Sequence, residues 1–591
     1  MAAKSRQRRG VPGAGNAVRP LSAAGAPAGT SVAQPAPAPS APAAFLERHA
    51  PLLAVALVLL ATIRIAATYS VFNHVFDEPA HIACGMEWLD QGRYTIEPQH
   101  PPLARAAAAL GPYLLGVHSQ NTPKTVAFSM IIEGLKILYD GNHYDQTLTA
   151  ARMGIVPFFW IACAVVYFWG ARYFGRAEAA VAVFLFTFLE PVLAHAGLAT
   201  TDMALTALLG AAFLTGCLWV ERPTLARAAL FGLSAGLAIV SKYSSLVFFP
   251  AAAAVALAWF CAFEKPKPDQ LRAAVARLLP GIGIAAAIVC LVIVAIFRFS
   301  WGDSGIAGLK LPAPEFFQGI RDVARHNAEG HPGYLLGRRS NFGFWQFYPV
   351  VLAVKTPLAF LFLLALGIPL VVSRRTSWRL GFLPVAYAAG VLGVAVFSHI
   401  NIGVRHILPV YTGFSLVAGA AAVHLWRIAP QARWAKFALP AALLWFAGTS
   451  LAAHPDYLPY FNELAGSHPE RILVDSDLDW GQDYKRVAAR LRELGVREVT
   501  FQPFSTADLE HYHGFPHVLP FDPLQPRYGW NGTGFTMWKE RRFGLDESNP
   551  QIDNLWPDRY EPTEKVGKTT YLWYFPPPGS PIPAPRLKGP Q

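Results

Sequence analysis

The chain has 591 residues, of which 53% are hydrophobic and only 15% charged, and its mean hydropathy is positive. Soluble domains carry about 25% charge, so an ordinary water-soluble globular protein is excluded. The net charge of +12 does not point to nucleic acid, because the Lys and Arg residues fall in short links between apolar runs, where the positive-inside rule puts them.

Residues 1–45 are rich in Ala, Pro and Gly and carry Lys4, Arg6, Arg8, Arg9 and Arg19. Such a composition cannot bury a core and is expected to be a disordered, cytoplasmic basic tail. It does not read as a signal peptide, since the first apolar run starts near residue 51 and no cleavage site stands out. The rest divides into a membrane domain, 46–453, and an outer C-terminal domain, 454–591.

The apolar runs are long enough to cross a bilayer core. Eleven spans are predicted, at 51–70, 150–171, 177–195, 203–220, 227–241, 244–262, 276–299, 346–372, 379–398, 405–426 and 434–453. The stretch 103–117 is too short to cross easily and reads as a re-entrant or interfacial helix. With the N-terminus in the cytoplasm, the short cytoplasmic links hold Arg172 and Arg176; Arg222 and Arg227; Lys265, Lys267, Arg272 and Arg277; Arg374, Arg375 and Arg379; and Arg427, Arg433 and Lys436. The other side then receives two long loops, 71–149 and 300–345, and the C-terminal domain. The expected class is an α-helical polytopic protein of the inner (plasma) membrane with a small extracytoplasmic α/β domain. In that domain RILVD (471–475) and REVTF (497–501) read as strands, and 483–494 as an amphipathic helix.

The five cysteines form no CxxC and no Cys/His cluster, so neither a disulfide framework nor a zinc site is supported. DSDLDWGQD (475–483) opens like a calcium loop but has Trp480 where Gly is needed and Arg486 where Glu is needed. No metal or other cofactor is expected. NGT at 531–533 matches a glycosylation sequon, a match frequent by chance.

The sharpest local feature lies in the first outer loop, FDEPAHIACGMEWLDQGRYTIEPQHPPLARA. Asp77 and Glu78 follow the first span directly and open a helix predicted over Pro79–Asp90, a place that favours carboxylates. A carboxylate in a partly apolar cleft can act as a general base; the plain alternative is that Asp77 caps the helix. Asp202, in TTDMALT, returns to the membrane on the same side, where an ionisable group is a functional suspect or an N-cap. Cations gather there too: Lys242 beside Tyr243, Arg405 beside His406, and Lys355 about two turns into the eighth span. They suit a lipid-linked phosphate, with snorkelling to headgroups as the alternative. In the second outer loop His326, His331, Arg338, Arg339 and the aromatics of 342–348 suit a sugar or an interfacial belt equally. His100, Tyr243, His331 and Tyr334 are the candidate substrate contacts.

These segments occur in a characteristic order: the DE pair, QHPPLAR, TDMALT, GLAIVSKYSSL, GHPGYLLG…FYPVVLAVKTPL, NIGVRHILPVY and YFNELAG…VDSDLDWGQD. From about residue 50 to 500 the chain resembles the phospholipid-carrier-dependent bacterial glycosyltransferases related to protein O-mannosyltransferases, family 39 of the GT-C superfamily. The resemblance implies a GT-C bundle whose first outer loop bears the active site. It also implies an inverting transfer of a monosaccharide from a polyprenyl-phosphate carrier to a hydroxyl on a protein, lipid or glycan. By the same resemblance Asp77 is the base, Glu78 helps position it, and Asp202 is the second acid. Lys242, Arg405 and His406 would hold the carrier phosphate, with Lys355 as a further candidate. DSDLDWGQD departs from the commoner DSNLDWGQD at Asp477 and is expected to be structural. The rival reading is a transporter or flippase for a lipid-linked sugar, which inverted repeats and broken mid-membrane helices would favour.

Overall fold

The computed structural model describes residues 41–373, 380–546 and 548–588. The basic tail 1–40 and the link residues Arg374, Arg375 and Arg379 lie outside them.

The bundle is built from α1 (Ala41–Ala66), α6 (Val156–Tyr173), α7 (Arg176–Phe188), α8 (Glu190–Ala196), α9 (Asp202–Glu221), α10 (Leu225–Ile239), α11 (Ser245–Glu264), α12 (Pro268–Ile296), α14 (Phe347–Lys355), α15 (Leu358–Val372), α16 (Leu383–Ala395), α17 (Val410–Ile428) and α18 (Ala435–Ala452). Helices occupy each of the eleven predicted spans. Among the described residues six helices are long and apolar enough to cross a membrane, and up to eight if each bent pair forms one span. The chain is therefore a multi-pass membrane protein. α10 and α16 are apolar but shorter.

Two predicted spans are broken. α7 and α8 meet at 67°, and α14 and α15 at 116°. The second break falls at Thr356-Pro357. Proline offers no N–H, and it pushes the residue before it out of the helical region; Thr356 is accordingly extended, at φ −101° and ψ 129°.

α7 and α17 run through the centre of the bundle, α7 against α1 and α6, α17 against α7, α15 and α16. The bundle has two distinct faces. On one, Arg172 pairs with Glu221 at 2.5 Å and Arg427 with Glu178 at 2.8 Å, tying together the basic links of α6–α7, α9 and α17. The other face carries the two long loops and the C-terminal domain.

The first loop folds into α2 (Glu78–Gln91), α3 (Pro102–Leu114), α4 (Ser129–Tyr139) and α5 (Tyr144–Met153). Cys84 is buried within α2. α2 is pressed between its neighbours, because Gly85 lies directly on the Arg105 carbonyl of α3 and Gly134 of α4 on that of Pro79. The second loop holds the hairpin β1 (Trp301–Asp303) and β2 (Lys310–Pro312), then α13 (Pro314–Glu329), then the hairpin β3 (Gly333–Leu335) and β4 (Arg338–Ser340).

The C-terminal domain packs α19 (Tyr484–Glu493) on a mixed five-stranded sheet. Its strands are β5 (Glu498–Gln502), β6 (His517–Leu519), β7 (Gly529–Gly534), β8 (Glu564–Val566) and β9 (Thr570–Phe575), in the order β6-β5-β7-β9-β8. Tyr484, Val487 and Leu491 of α19 meet Val499, Phe501 and Leu572 of the sheet. The predicted strand at 471–475 is absent. Its apolar run instead forms 3₁₀ turns, Pro469–Arg471 and Asp475–Asp477, since the amides of Ile472 and Leu473 turn back to the Pro469 carbonyl. Asn531 of the NGT sequon is fully buried in β7 and donates to the carbonyls of Arg527 and Gly529, so it is not presented for glycosylation.

Candidate active site

Asp77 stands at the start of α2 but does not cap it: its side chain bonds no helix amide. Its Oδ2 accepts a hydrogen bond from Nη1 of Arg405 at 2.8 Å. Asp77 retains 32% side-chain exposure, against 10% for Arg405. The carboxylate therefore faces open space while its partner is walled in. Arg405 comes from the turn Val404–Ile407 before α17. Its Nε donates to the Ile402 carbonyl, and its guanidinium lies 4.1 Å from the centre of the Trp480 ring. Stacking on one plane and bonding at two edges fixes the fork in place.

Asp202, the first residue of α9, receives a 2.5 Å bond on Oδ1 from Nζ of Lys242, in the link from α10 to α11. Its other oxygen, Oδ2, is buried with no protein donor. A buried carboxylate oxygen without a protein donor can accept from a ligand hydroxyl.

Neutral imidazoles border these two pairs. Burial pushes His81 well below the usual histidine range; the Arg105, Arg405 and Lys242 cations act in the same sense, and the Asp202 carboxylate against it. Burial also depresses His100, with Arg105, His81, Lys242 and Arg405 contributing. Both rings thus feel Arg405 and Lys242, and they stand edge to face at 5.4 Å. His406 stacks on Tyr348, and its Nδ1 is buried without a partner. The Tyr243 hydroxyl, also buried and unpartnered, lies under Gly319 of α13. Asp77, Asp202, Lys242, Arg405, His406, His100 and Tyr243 thus gather at the mouth of the bundle, drawn from five separate stretches of chain.

Other expected members lie elsewhere or are otherwise engaged. Glu78 is fully buried; Arg152 of α5 grips it with Nε and Nη2, each at 2.8 Å, and the amides of Val75 and Ala199 donate to it. Its oxygens are saturated, so it clamps the loop rather than meeting a substrate. Lys355 is engaged within the protein: its ammonium donates to the carbonyls of Leu458 at 2.7 Å and Asp477 at 2.5 Å and sits over the Phe461 ring. Tyr334 packs in the core of the C-terminal domain, and its hydroxyl donates to the Arg471 carbonyl. His331 pairs with His326 at 3.1 Å in the second loop, and burial drives it down to about 4.

Three groups at the site were not anticipated. Arg105, in QHPPLAR, is fully buried and joins His81, the Tyr94 hydroxyl and Glu97. Trp480 supplies the surface under Arg405. His195 of α8 stands edge-on to Trp480, with Nδ1 unpartnered.

The DSDLDWGQD segment holds the acid loop in register. The Phe76 amide donates to the Trp480 carbonyl at 3.0 Å and the Asn73 amide to Gln482 at 3.2 Å, while Asn73 Nδ2 bonds the Gly481 carbonyl at 2.6 Å. Gly481, at φ +84°, sits directly on the Phe504 carbonyl, where any side chain would collide. Among the described residues no three His, Cys, Asp or Glu side chains converge as metal ligands do.

No family model and no curated protein matches the chain. Among solved structures, ArnT from Cupriavidus metallidurans bound to undecaprenyl phosphate aligns with a TM-score of 0.47 and 13% identity, over 88% of this chain and 97% of that one. The oligosaccharyltransferase AglB from Archaeoglobus fulgidus, in complex with an inhibitory peptide and a dolichol-phosphate, aligns with a TM-score of 0.43 and 13% identity, over 80% of this chain and 62% of that one. At these scores the likeness assigns no residue, substrate or reaction to this chain.

Proposed function

We propose that this protein is an inverting membrane glycosyltransferase of GT-C type. In this reading it moves a monosaccharide from a polyprenyl-phosphate carrier to a hydroxyl acceptor on the non-cytoplasmic face. The observation that carries the reading is the half-open Asp77 carboxylate paired with the buried, stacked Arg405, with the Asp202–Lys242 pair alongside.

The donor's lipid tail lies in the bilayer and its phosphate enters at the interface. There Arg405 exchanges part of its hold on Asp77 for the phosphate oxygens, and Lys242 adds a second cation. Negative charge grows on the bridging oxygen as its bond to the anomeric carbon breaks, and both cations stabilise it. Asp77 takes the proton from the acceptor hydroxyl while that oxygen attacks the anomeric carbon from the opposite side. The products are the glycoside with inverted configuration and the free polyprenyl phosphate. An ionised phosphate leaves without an acid partner, so one carboxylate serves as base, unlike the paired carboxylates of glycosidases. Asp202 Oδ2 offers an acceptor for a sugar or acceptor hydroxyl. The ties Arg172–Glu221 and Arg427–Glu178 gather basic links on the opposite face, which supports a cytoplasmic side there and a site on the outer side.

The broken helices α7–α8 and α14–α15 are what a carrier for lipid-linked sugars would share. The test is to reconstitute the protein in liposomes with a labelled polyprenyl-phosphate sugar. Transfer with release of polyprenyl phosphate supports the enzyme; movement of intact donor between leaflets without bond cleavage supports the carrier.

A further inference from the structure

A cavity lies away from Asp77, between the β3–β4 hairpin and the C-terminal domain. It measures about 410 Å³. Its wall carries Arg339, Arg471, Lys539, Arg542 and Lys588, against only two carboxylates, Asp553 and Asp558.

The carboxylates are largely committed. Arg542 is buried, takes Asp558 at 2.7 Å and donates to the Ile552 carbonyl; this pair is internal scaffolding. Asp553 is 81% exposed and, among the described residues, pairs only with Arg339, at 3.1 Å. Positive charge is left over. The Arg471 guanidinium has no hydrogen bond or ion pair among the described residues. The Lys539 ammonium lies over the Trp538 ring at 3.6 Å, and the nearest Asp558 oxygen is 3.8 Å away. Lys588 donates to the Pro557 carbonyl at 2.8 Å. Burial pushes Lys539 down to about 8; the Asp558 and Glu470 carboxylates act against this, and the Lys588 and Arg542 cations in the same sense. Crowding cations into a concave wall is unfavourable unless an anion arrives to offset it.

Size narrows the class of ligand. A water occupies roughly 30 Å³ of liquid, so an inorganic anion would leave most of the space empty. Cavities of several hundred Å³ hold small organic ligands. Tyr334 lines the wall, although most of its ring is packed in the domain core.

We infer that this cavity binds an anionic saccharide, with a phosphate or carboxylate on the ring engaged by Arg471, Lys539 and Lys588. The site is separate from the transfer chemistry, so it stands or falls on its own.

The test is calorimetry on the full chain in nanodiscs, with glucose 6-phosphate, glucuronate, glucose and inorganic phosphate as probes. Binding of the two anionic sugars, weakened by salt, is expected. Because it removes two charge-assisted hydrogen bonds, the double variant Arg471→Gln/Lys539→Gln should lower that affinity by at least about tenfold. Lys539→Arg should retain most of it, and Asp77→Asn should leave it unchanged. Failure of both anionic sugars to bind, equal binding of glucose or of inorganic phosphate, or an affinity indifferent to the double variant would each overturn the assignment.

Discussion

Arg405 donates to the Asp77 carboxylate at 2.8 Å across 328 positions of sequence, with its guanidinium over the Trp480 ring. One contact thus joins the first outer loop, the turn before α17 and the DSDLDWGQD segment. Arg405→Lys keeps the charge but loses the planar fork and the stack. We predict that this variant folds, and that donor KM rises and kcat falls together, with kcat/KM down roughly 10- to 100-fold. That range corresponds to one charge-assisted bond. Steady-state kinetics with varied donor checks this.

The Glu78–Arg152 pair behaves differently. Both side chains are buried, and neither touches the open part of the site. Arg152→Met strands an unpaired carboxylate, a change that costs about 3–5 kcal/mol. Thermal unfolding in detergent should show a clear drop in Tm, and the double variant Glu78→Gln/Arg152→Met should recover part of it. A single variant as stable as the parent would refute the clamp.

Asp202 and Lys242 form a second buried pair, but one Asp202 oxygen stays free. Asp202→Asn should spare folding, since Oδ1 can still accept from Lys242, and should lower turnover more than it raises donor KM. Lys242→Met should be the more damaging to stability, because it leaves the carboxylate buried alone. Tm and kinetics on the two variants separate these effects.

Stability should also depend on pH through Asp477. Burial pushes this carboxyl up to about 6, from an ordinary aspartate value of 3.8. The folded state therefore holds the proton more tightly, and between those two values it carries more protons than the unfolded chain. The stabilisation is complete below about pH 4 and is lost as pH rises through about 6. Its Oδ1 accepts from the Val404 amide at 3.0 Å, while Oδ2 is buried without a donor. Asp477→Asn keeps the first contact and places a neutral group at the second position. A Tm series over this range should slope downward in the parent and less steeply in the variant. Asp479, raised by burial to about 7, should account for slope that remains.

What could be read from the sequence was set by range. The helices followed from local apolar runs, and the amphipathic 483–494 segment formed α19 because its stripe meets the sheet. Asp77, Asp202, Lys242 and Arg405 stood out because each is ionic at a span end on the side otherwise poor in cations. Roles fixed by distant partners were hidden. Nothing near Glu78 announces Arg152, 74 positions on, and nothing near Lys355 announces the carbonyls of Leu458 and Asp477, more than 100 positions on. Read locally, Lys355 needs a partner; the fold supplies two carbonyls. Thr356-Pro357 was a visible breaker inside 346–372, but the apolar run around it outweighed the signal. RILVD has strand-forming residues, yet Pro469 and the left-handed Asp475, at φ +52°, turn it into two 3₁₀ turns.

The most direct test replaces Asp77 with Asn in protein reconstituted with a labelled polyprenyl-phosphate sugar, reading donor binding and single-turnover product formation side by side. A lost general base costs about 10²- to 10⁴-fold, so product formation should fall by at least about a hundredfold while donor affinity stays close to that of the parent. Parental turnover from the Asp77→Asn protein would contradict the account.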